Sequence, residues 1–304
     1  MKVICPQCQK EHNIDESKIP ANAKVAQCRA CGHRFSLFGG DQPAKPDSSP
    51  KPGPRRVGVT LSKGGVGKTT TSVNLAAGLA LAGFKVLLVD TDTQGQAAYL
   101  LGMKPKVGLT ELVTGELPPE EAILPARENL WLLAGGRSLA GIKRLIDRKD
   151  FGGELTLAES LRAVEGAYDY IIVDTSPGWD PLTVNVLFYV NELITPVSLE
   201  VMSLQGLVEF LKSLSSIQKY RSEVTLNYIL PTFLDKRIKN PDAILERLQE
   251  LYGDYLCTPI RYNVRLSEAP AYGKTIFEYA PGSHGSQDYR DLVRKVTGRP
   301  DLFS

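Results

Sequence analysis

The 304-residue sequence has no run of 18 apolar residues. That excludes a membrane-spanning helix, because crossing the hydrocarbon core takes about 20 such residues. Met1-Lys2-Val3-Ile4 is too short a lead to precede a signal-peptide core, so the chain is expected to stay in the cytoplasm. An excess of one charge is missing as well: 36 Lys and Arg face 34 Asp and Glu, a net +2. A global basic field of the kind that coats histone-like proteins is therefore excluded, and any contact with nucleic acid must be local. No internal repeat is evident. Beyond residue 31 a single cysteine remains, Cys257, which reads as a small core residue.

The other four cysteines are concentrated at the start, as Cys5-Pro6-Gln7-Cys8 and Cys28-Arg29-Ala30-Cys31, with 19 residues between the pairs. Two C-x2-C knuckles at this separation present four thiolates to one tetrahedral ion, which predicts a zinc ribbon over residues 1–38 holding Zn²⁺ through Cys5, Cys8, Cys28 and Cys31. Four sulfurs close a structural site, so His12 and His33 are read as surface or packing residues. A module this small buries too little apolar surface to fold alone, and the metal supplies much of its stability. Residues 39–55 follow with five prolines, three glycines and no apolar periodicity, an extended semi-rigid tether.

Residues 56–304 have the length of one α/β domain with an ample core. Near its start Val57-Gly58-Val59-Thr60-Leu61, a short apolar run, leads into Ser62-Lys63-Gly64-Gly65-Val66-Gly67-Lys68-Thr69-Thr70 and then a helical pattern. This is a strand, a phosphate loop and a helix N-terminus: glycines let backbone N–H groups turn inward around a phosphate, and the helix dipole adds positive charge at the same place. Lys68 reaches the β and γ phosphates and the Thr69 hydroxyl ligates Mg²⁺. Where the ordinary motif begins with glycine this chain has Ser62, followed by a second lysine, Lys63. Apolar runs near Val86–Val89, Leu130–Leu133, Tyr170–Val173, Leu193–Val197 and Val224–Leu230 alternate with helical patterns such as Leu204, Leu207, Val208, Leu211, Leu214 and Ile217. The alternation predicts a doubly wound, mostly parallel sheet with helices on both faces and its ligand site at the carboxyl ends of the strands.

The Lys-Gly-Gly-Val-Gly-Lys-Thr-Thr run resembles the deviant Walker A box of the ParA/MinD family of ATPases, and the resemblance extends from about Arg56 to about Val296. It implies that Lys63 contacts nucleotide phosphates across a dimer interface, with Gly64, Gly65, Val66, Gly67, Lys68, Thr69 and Thr70 cradling ATP. Val89-Asp90-Thr91-Asp92 resembles the family's second nucleotide motif, which makes Asp92 the candidate for positioning the attacking water and Asp90 a support near the metal. Val173-Asp174 resembles a Walker B strand end, with Asp174 holding Mg²⁺. Arg261 to Ile276 resembles the signature of the ParA branch, in which Asn263 falls where the family contacts the base. The usual Pro-Arg before it is replaced here by Arg261-Tyr262.

In that branch the ATP-bound homodimer binds nonspecific DNA, a partner protein stimulates hydrolysis, and the ATPase positions a chromosome, plasmid or other cargo at the nucleoid. Arg237 and Arg265 match positions implicated in DNA contact, and Lys236, Lys239 and Arg261 extend the patch. Two alternatives compete. A MinD-like ATPase docks on membrane through a terminal amphipathic helix; the face formed by Tyr289, Leu292, Val293 and Val296 is sized for packing instead, which disfavours it, and Leu302 and Phe303 are the residues that keep it open. A nucleotide-switched scaffold without turnover is the second. Iron–sulfur carriers of the wider superfamily need cysteines in the ATPase domain, and Cys257 stands alone there.

Overall fold

A computed structural model describes residues 2–5, 7–8, 10–13, 25–36, 53–235 and 241–304. The chain divides into two compact units, Met1–Ala44 and Lys45–Ser304. In the first, β1 (Lys2–Ile4) pairs antiparallel with β2 (Glu11–Asn13), and β3 (Val25–Gln27) with β4 (Arg34–Ser36). Each hairpin turns through one cysteine knuckle, closed by the Cys5 amide donating to Lys10 O at 3.0 Å and the Cys28 amide to His33 O at 2.7 Å.

The second unit is built on a seven-stranded sheet of β5 (Arg55–Val59), β6 (Val86–Asp90), β7 (Leu124–Arg127), β8 (Leu130–Leu133), β9 (Tyr170–Asp174), β10 (Glu192–Ser198) and β11 (Thr225–Thr232). Their spatial order is β11-β10-β5-β9-β6-β8-β7, parallel throughout except for β7. Every apolar run expected to be a strand is one. The missed strand is β7, whose Leu-Pro-Ala-Arg sequence carries no apolar run and which pairs only at the sheet edge, where proline is tolerated.

Central strands buried on both faces read as continuous apolar runs, and their side chains alternate between two cores. Val86, Leu88, Tyr170 and Ile172 enter one core, and Leu87, Val89, Ile171 and Val173 the other. The first is covered by α1 (Lys68–Leu81), α2 (Gln96–Leu100), α10 (Val264–Glu268), α11 (Ile276–Tyr279) and α12 (His284–Thr297). The second is covered by α3 (Leu109–Thr114), α4 (Pro119–Ala122), α5 (Leu139–Asp147), α6 (Thr156–Leu161), α7 (Pro181–Tyr189), α8 (Val201–Gln218) and α9 (Pro241–Tyr252). On α8, Leu207 and Leu214 are buried while Val208 is exposed, so the apolar stripe is narrower than its sequence pattern.

Tyr289, Leu292, Val293 and Val296 of α12 are all buried against α1 and the sheet. The chain then reverses: Leu302 is buried, Phe303 lies under the guanidinium groups of Arg290 and Arg294, and Arg294 Nε donates to Leu302 O at 2.8 Å. The two apolar residues that keep a membrane role open in the sequence are spent on this packing. Among the described residues no helix is long and apolar enough to cross a membrane.

At the amino ends of the strands, Arg55 gathers four elements. Its guanidinium donates to the Glu192 carboxylate, to the hydroxyls of Tyr170 and Tyr228, and to the carbonyl of Val296. At the opposite end, β5 lies between β10 and β9, and the chain leaves β5 in one direction, over β9 to β6, but leaves β9 in the other, over β5 to β10. This reversal of direction opens the crevice in which α/β sheets bind ligands.

Candidate functional site

Strand register sets the site. Val59 pairs with Asp174 and Asp174 with Asp90, so the start of the phosphate loop and two carboxylates lie abreast at the carboxyl ends of β5, β9 and β6. Within the loop Gly65 and Gly67 have φ of 73° and 88°, left-handed values that a side chain rarely adopts, and Gly67 caps α1. Two hydrogen bonds tie the loop down: Gly178 N donates to Ser62 O at 3.0 Å, and Thr232 Oγ1 to Val66 O at 3.0 Å.

The two lysines are placed differently. Lys68 is 6% exposed and its Nζ donates to Lys63 O across the loop at 2.7 Å. Burial lowers its pKa from the usual lysine range, against the pull of Asp174 and Asp92. Lys63 is half-buried and turned away from Lys68, with Nζ 3.2 Å from the exposed Glu200 carboxylate at the start of α8.

The three acids differ as well. Asp174 is fully buried; its Oδ1 accepts from Ser72 Oγ at 2.7 Å, and Oδ2 has no hydrogen-bond partner. Burial pushes it up to about 6, held down by the Ser72 and Thr69 hydroxyls and the Lys68 charge. An orphaned buried carboxylate oxygen beside a threonine hydroxyl and a phosphate loop fits a Mg²⁺ ion or its water, which would satisfy that oxygen and hold the group ionised. Asp90 is engaged elsewhere: Oδ1 accepts from Asp92 N at 2.9 Å and Oδ2 from Ala97 N at 3.1 Å. Both oxygens hold the loop that carries Asp92. Burial, reinforced by Asp174, keeps Asp90 well above the usual carboxylate range. Asp92 accepts from Gln94 N through Oδ1 at 2.9 Å, and its carbonyl accepts from Gly95 N and Gly136 N, both at 3.0 Å.

Gly135, which belongs to none of the sequence motifs, completes this loop. A Cβ there would lie 2.7 Å from the carbonyl oxygens of both Asp90 and Asp92, so only glycine allows the loop after β8 to pack on the acidic one. Its signal is the Gly135-Gly136 pair closing an apolar strand, a common enough turn that nothing local distinguishes it.

A cavity of about 310 Å³ opens beside the loop, and Gly67, Thr70 and Asn263 all line it. Asn263 reaches it from the N-cap of α10, its Oδ1 accepting from Arg265 N at 2.9 Å. Of the basic residues singled out, Arg237, Lys236 and Lys239 lie outside the described residues. Arg265 is exposed and paired with Glu268 at 2.9 Å. The amide and guanidinium of Arg261 both bind Asp288, 2% exposed, with Nε at 3.0 Å. Its charge is paired with a buried carboxylate.

In the other unit the sulfurs of Cys5, Cys8, Cys28 and Cys31 lie within 4.8 Å of one another, with Cys5–Cys31 and Cys8–Cys28 contacts of 3.6 Å. None forms a disulfide. A tetrahedral ion with Zn–S bonds of ~2.3 Å has S–S edges of about 3.8 Å, so the cluster fits zinc. His12, expected at the surface or in packing, has Nε2 3.2 Å from Cys28 Sγ. Although burial alone raises a thiol's pKa, the amides of Cys31 and Ala30 and the His12 side chain bring Cys28 down to about 5, the thiolate that metals bind.

Residues 55–227 match the sequence family described as an AAA domain, and residues 1–36 match that described as a zinc-ribbon domain. The sporulation initiation inhibitor protein Soj of Bacillus subtilis is 37% identical over 248 residues, 79% of this chain and 97% of that protein. The chromosome-partitioning ATPase Soj of Thermus thermophilus is 36% identical over 247 residues, 81% of this chain and 96% of its own. Among solved structures, cobyrinic acid a,c-diamide synthase from Mycobacterium smegmatis, with bound ATP analog and magnesium, superposes with a TM-score of 0.68 at 29% identity, covering 80% of this chain and 96% of that one. Family match, relatives and fold agree with the deviant loop and its strand-end acids, and the chain belongs to the ParA family of phosphate-loop ATPases, preceded by a zinc-ribbon module.

Proposed function

We propose that this chain is a Mg²⁺-dependent ATPase that dimerises on ATP, binds nonspecific DNA as the dimer, and is released when a partner protein stimulates hydrolysis, so that a DNA molecule or other cargo is positioned. Residues 56–304 carry the ATPase, 39–55 the tether, and 1–38 a ribbon holding one Zn²⁺ on its four cysteines.

What supports the reading most is the contrast between the two lysines of one loop. Lys68 is buried with its amine held across the loop, placed for the phosphates of its own site, whereas the amine of Lys63 leaves the loop for the exposed Glu200 carboxylate and is not committed to that site's phosphates. A cation supplied in trans stabilises developing charge as an arginine finger does. The loop amides and Lys68 hold the triphosphate. Thr69 and Asp174 hold Mg²⁺, which neutralises charge on the phosphates when bound. Asp92 orients the attacking water, and Asp90 positions Asp92 through the hydrogen bond its carboxylate accepts from the Asp92 N–H. Arg265, exposed, and Arg237 contact DNA phosphates.

Against docking on a membrane, Leu302 and Phe303, the apolar residues after α12, are packed on the domain. Against a scaffold without turnover stands the full set of Lys63, Lys68, Asp92 and Asp174.

Purified protein is expected to hydrolyse ATP slowly with Mg²⁺, and Asp92→Ala to bind ATP, sediment as a dimer and release no phosphate. Unchanged turnover in Asp92→Ala overturns its assignment, and absence of turnover in the parent, even in the presence of DNA, favours the scaffold. Retardation of duplex DNA of arbitrary sequence should require ATP and weaken in Arg265→Glu with dimerisation intact. The slope of log K against log salt should then flatten by about one unit for each DNA phosphate the variant no longer neutralises. Equal DNA affinity in parent and variant turns the question to liposome flotation.

A further inference from the structure

We infer that Phe233 is the base-stacking side chain of the nucleotide site and gives it a preference for purine nucleotides; this rests on the nucleotide reading above and adds a specificity-determining residue to it. Phe233 stands just past the end of β11 with φ of 57°, a left-handed value that is unusual for a bulky residue. Its neighbours explain the conformation. Thr232 is held to the phosphate loop through its hydroxyl on Val66 O. On the other side, Leu234 N donates to Ile260 O at 3.1 Å and Leu234 O accepts from Tyr262 N at 3.0 Å. The chain must pass between these two anchors in one residue, and the left-handed turn does it.

Glycine would make such a turn without strain. This chain has phenylalanine there, and the ring stays 45% exposed instead of entering either core. An exposed aromatic in a strained backbone position points to a function outside the fold. The ring lines the 310 Å³ cavity, and its Cζ lies 3.5 Å from where a Cβ on Gly67 would sit, directly against the C-terminal glycine of the phosphate loop. The rest of the lining includes the apolar Leu100, Ile260 and Pro270, the amides of Gln96 and Asn263, and Tyr262. A cavity that combines an aromatic ring and aliphatic side chains with amides, opening beside a phosphate loop, suits the base of a nucleotide whose phosphates occupy that loop. Stacking on a ring scales with the area of the base, so it favours purine over pyrimidine.

The experiment is binding calorimetry with three probes: the non-hydrolysable ATP analogue AMPPNP, CTP, and inorganic tripolyphosphate, each with Mg²⁺. The variants are Phe233→Gly, which suits the left-handed backbone and so keeps the fold, and Phe233→Tyr, which keeps the ring. In Phe233→Gly, AMPPNP should bind about tenfold more weakly, as expected for removal of one base–aromatic stack. Tripolyphosphate should stay within about twofold, the purine preference over CTP should shrink, and Phe233→Tyr should bind AMPPNP within about threefold of the parent. Unchanged AMPPNP affinity in Phe233→Gly overturns the inference. An equal weakening of tripolyphosphate also overturns it, because Phe233 would then be supporting the loop. A parent that binds tripolyphosphate but shows no preference for AMPPNP overturns it with the nucleotide reading intact, whereas a parent that binds none of the three overturns that reading itself.

Discussion

The two units are held together by different means. Among the described side chains of the first, the buried ones are Cys5 and Cys28, so the centre of the ribbon is its own cluster of metal ligands. Its strands are three residues each. In the second unit the parallel strands are covered on both faces, and the charged groups of the site sit at the rim of a core made of aliphatic runs. The ribbon's stability is thus chemical, a matter of one coordination sphere, while that of the ATPase unit is distributed over many apolar side chains. Removing one ligand from the first is ruinous. Removing one methyl from the second takes away a fraction of the whole.

The largest expected effect follows from that asymmetry. Apparent metal-binding energies of structural zinc sites run to ~10–16 kcal/mol, more than a small module holds otherwise. Cys28→Ser should therefore release the one zinc per chain found by elemental analysis and erase the ribbon's dispersed amide signals, while ATP hydrolysis stays within about twofold. A fall in hydrolysis would show that the ribbon acts on the ATPase unit.

Core truncation should do the converse. Leu88→Ala, fully buried between β6 and α1, should cost about 2 to 5 kcal/mol and lower the main thermal transition without releasing zinc. Gly78→Ala should cost less. Its Cβ would lie 2.7 Å from Val293 Cγ2, overpacking worth ~1–3 kcal/mol, and alanine's better helix propensity returns up to ~1 kcal/mol. Calorimetry on both variants would rank them, and a Gly78→Ala protein more stable than its parent would mean that α12 yields.

The smallest effect concerns pH. Asp180 is partly buried, which alone would raise its pKa, but Lys143, the Thr183 amide and Ser176 hold it below the usual carboxylate range. A depressed folded pKa stabilises fully above the unfolded value of ~3.9, and that contribution disappears as pH falls through the folded value. Lys143→Met should therefore move acid unfolding of the ATPase unit to higher pH, by less than about 1 kcal/mol at neutral pH for a pair this close to solvent, and leave the ribbon's zinc content at pH 7 as it was.

What was legible in the sequence is what lies consecutively in it. The phosphate loop, the knuckles and the strand-end acids are runs of a few residues whose spacing already contains their geometry, and the apolar runs account for six of the seven strands of the large sheet. What was not legible depends on residues far apart in sequence. Gly135 matters because β8 brings it under Asp90 and Asp92, and Arg261 is neutralised because α12 brings Asp288 to it. His12 reaches Cys28 only across the two hairpins. The role of Asp90 shifts for the same reason: its type and position suit a metal, but the fold gives both its oxygens to backbone amides.

The Arg55 clamp bears on where this sheet can move. One guanidinium binds β10, β9, β11 and the end of α12 at the edge farthest from the phosphate loop. The strands are in effect bound along a spine, like the pages of a book. Fanning them from that side would leave a half-buried cation short of partners, so the register that sets Val59, Asp174 and Asp90 abreast at the fore-edge is maintained from the spine.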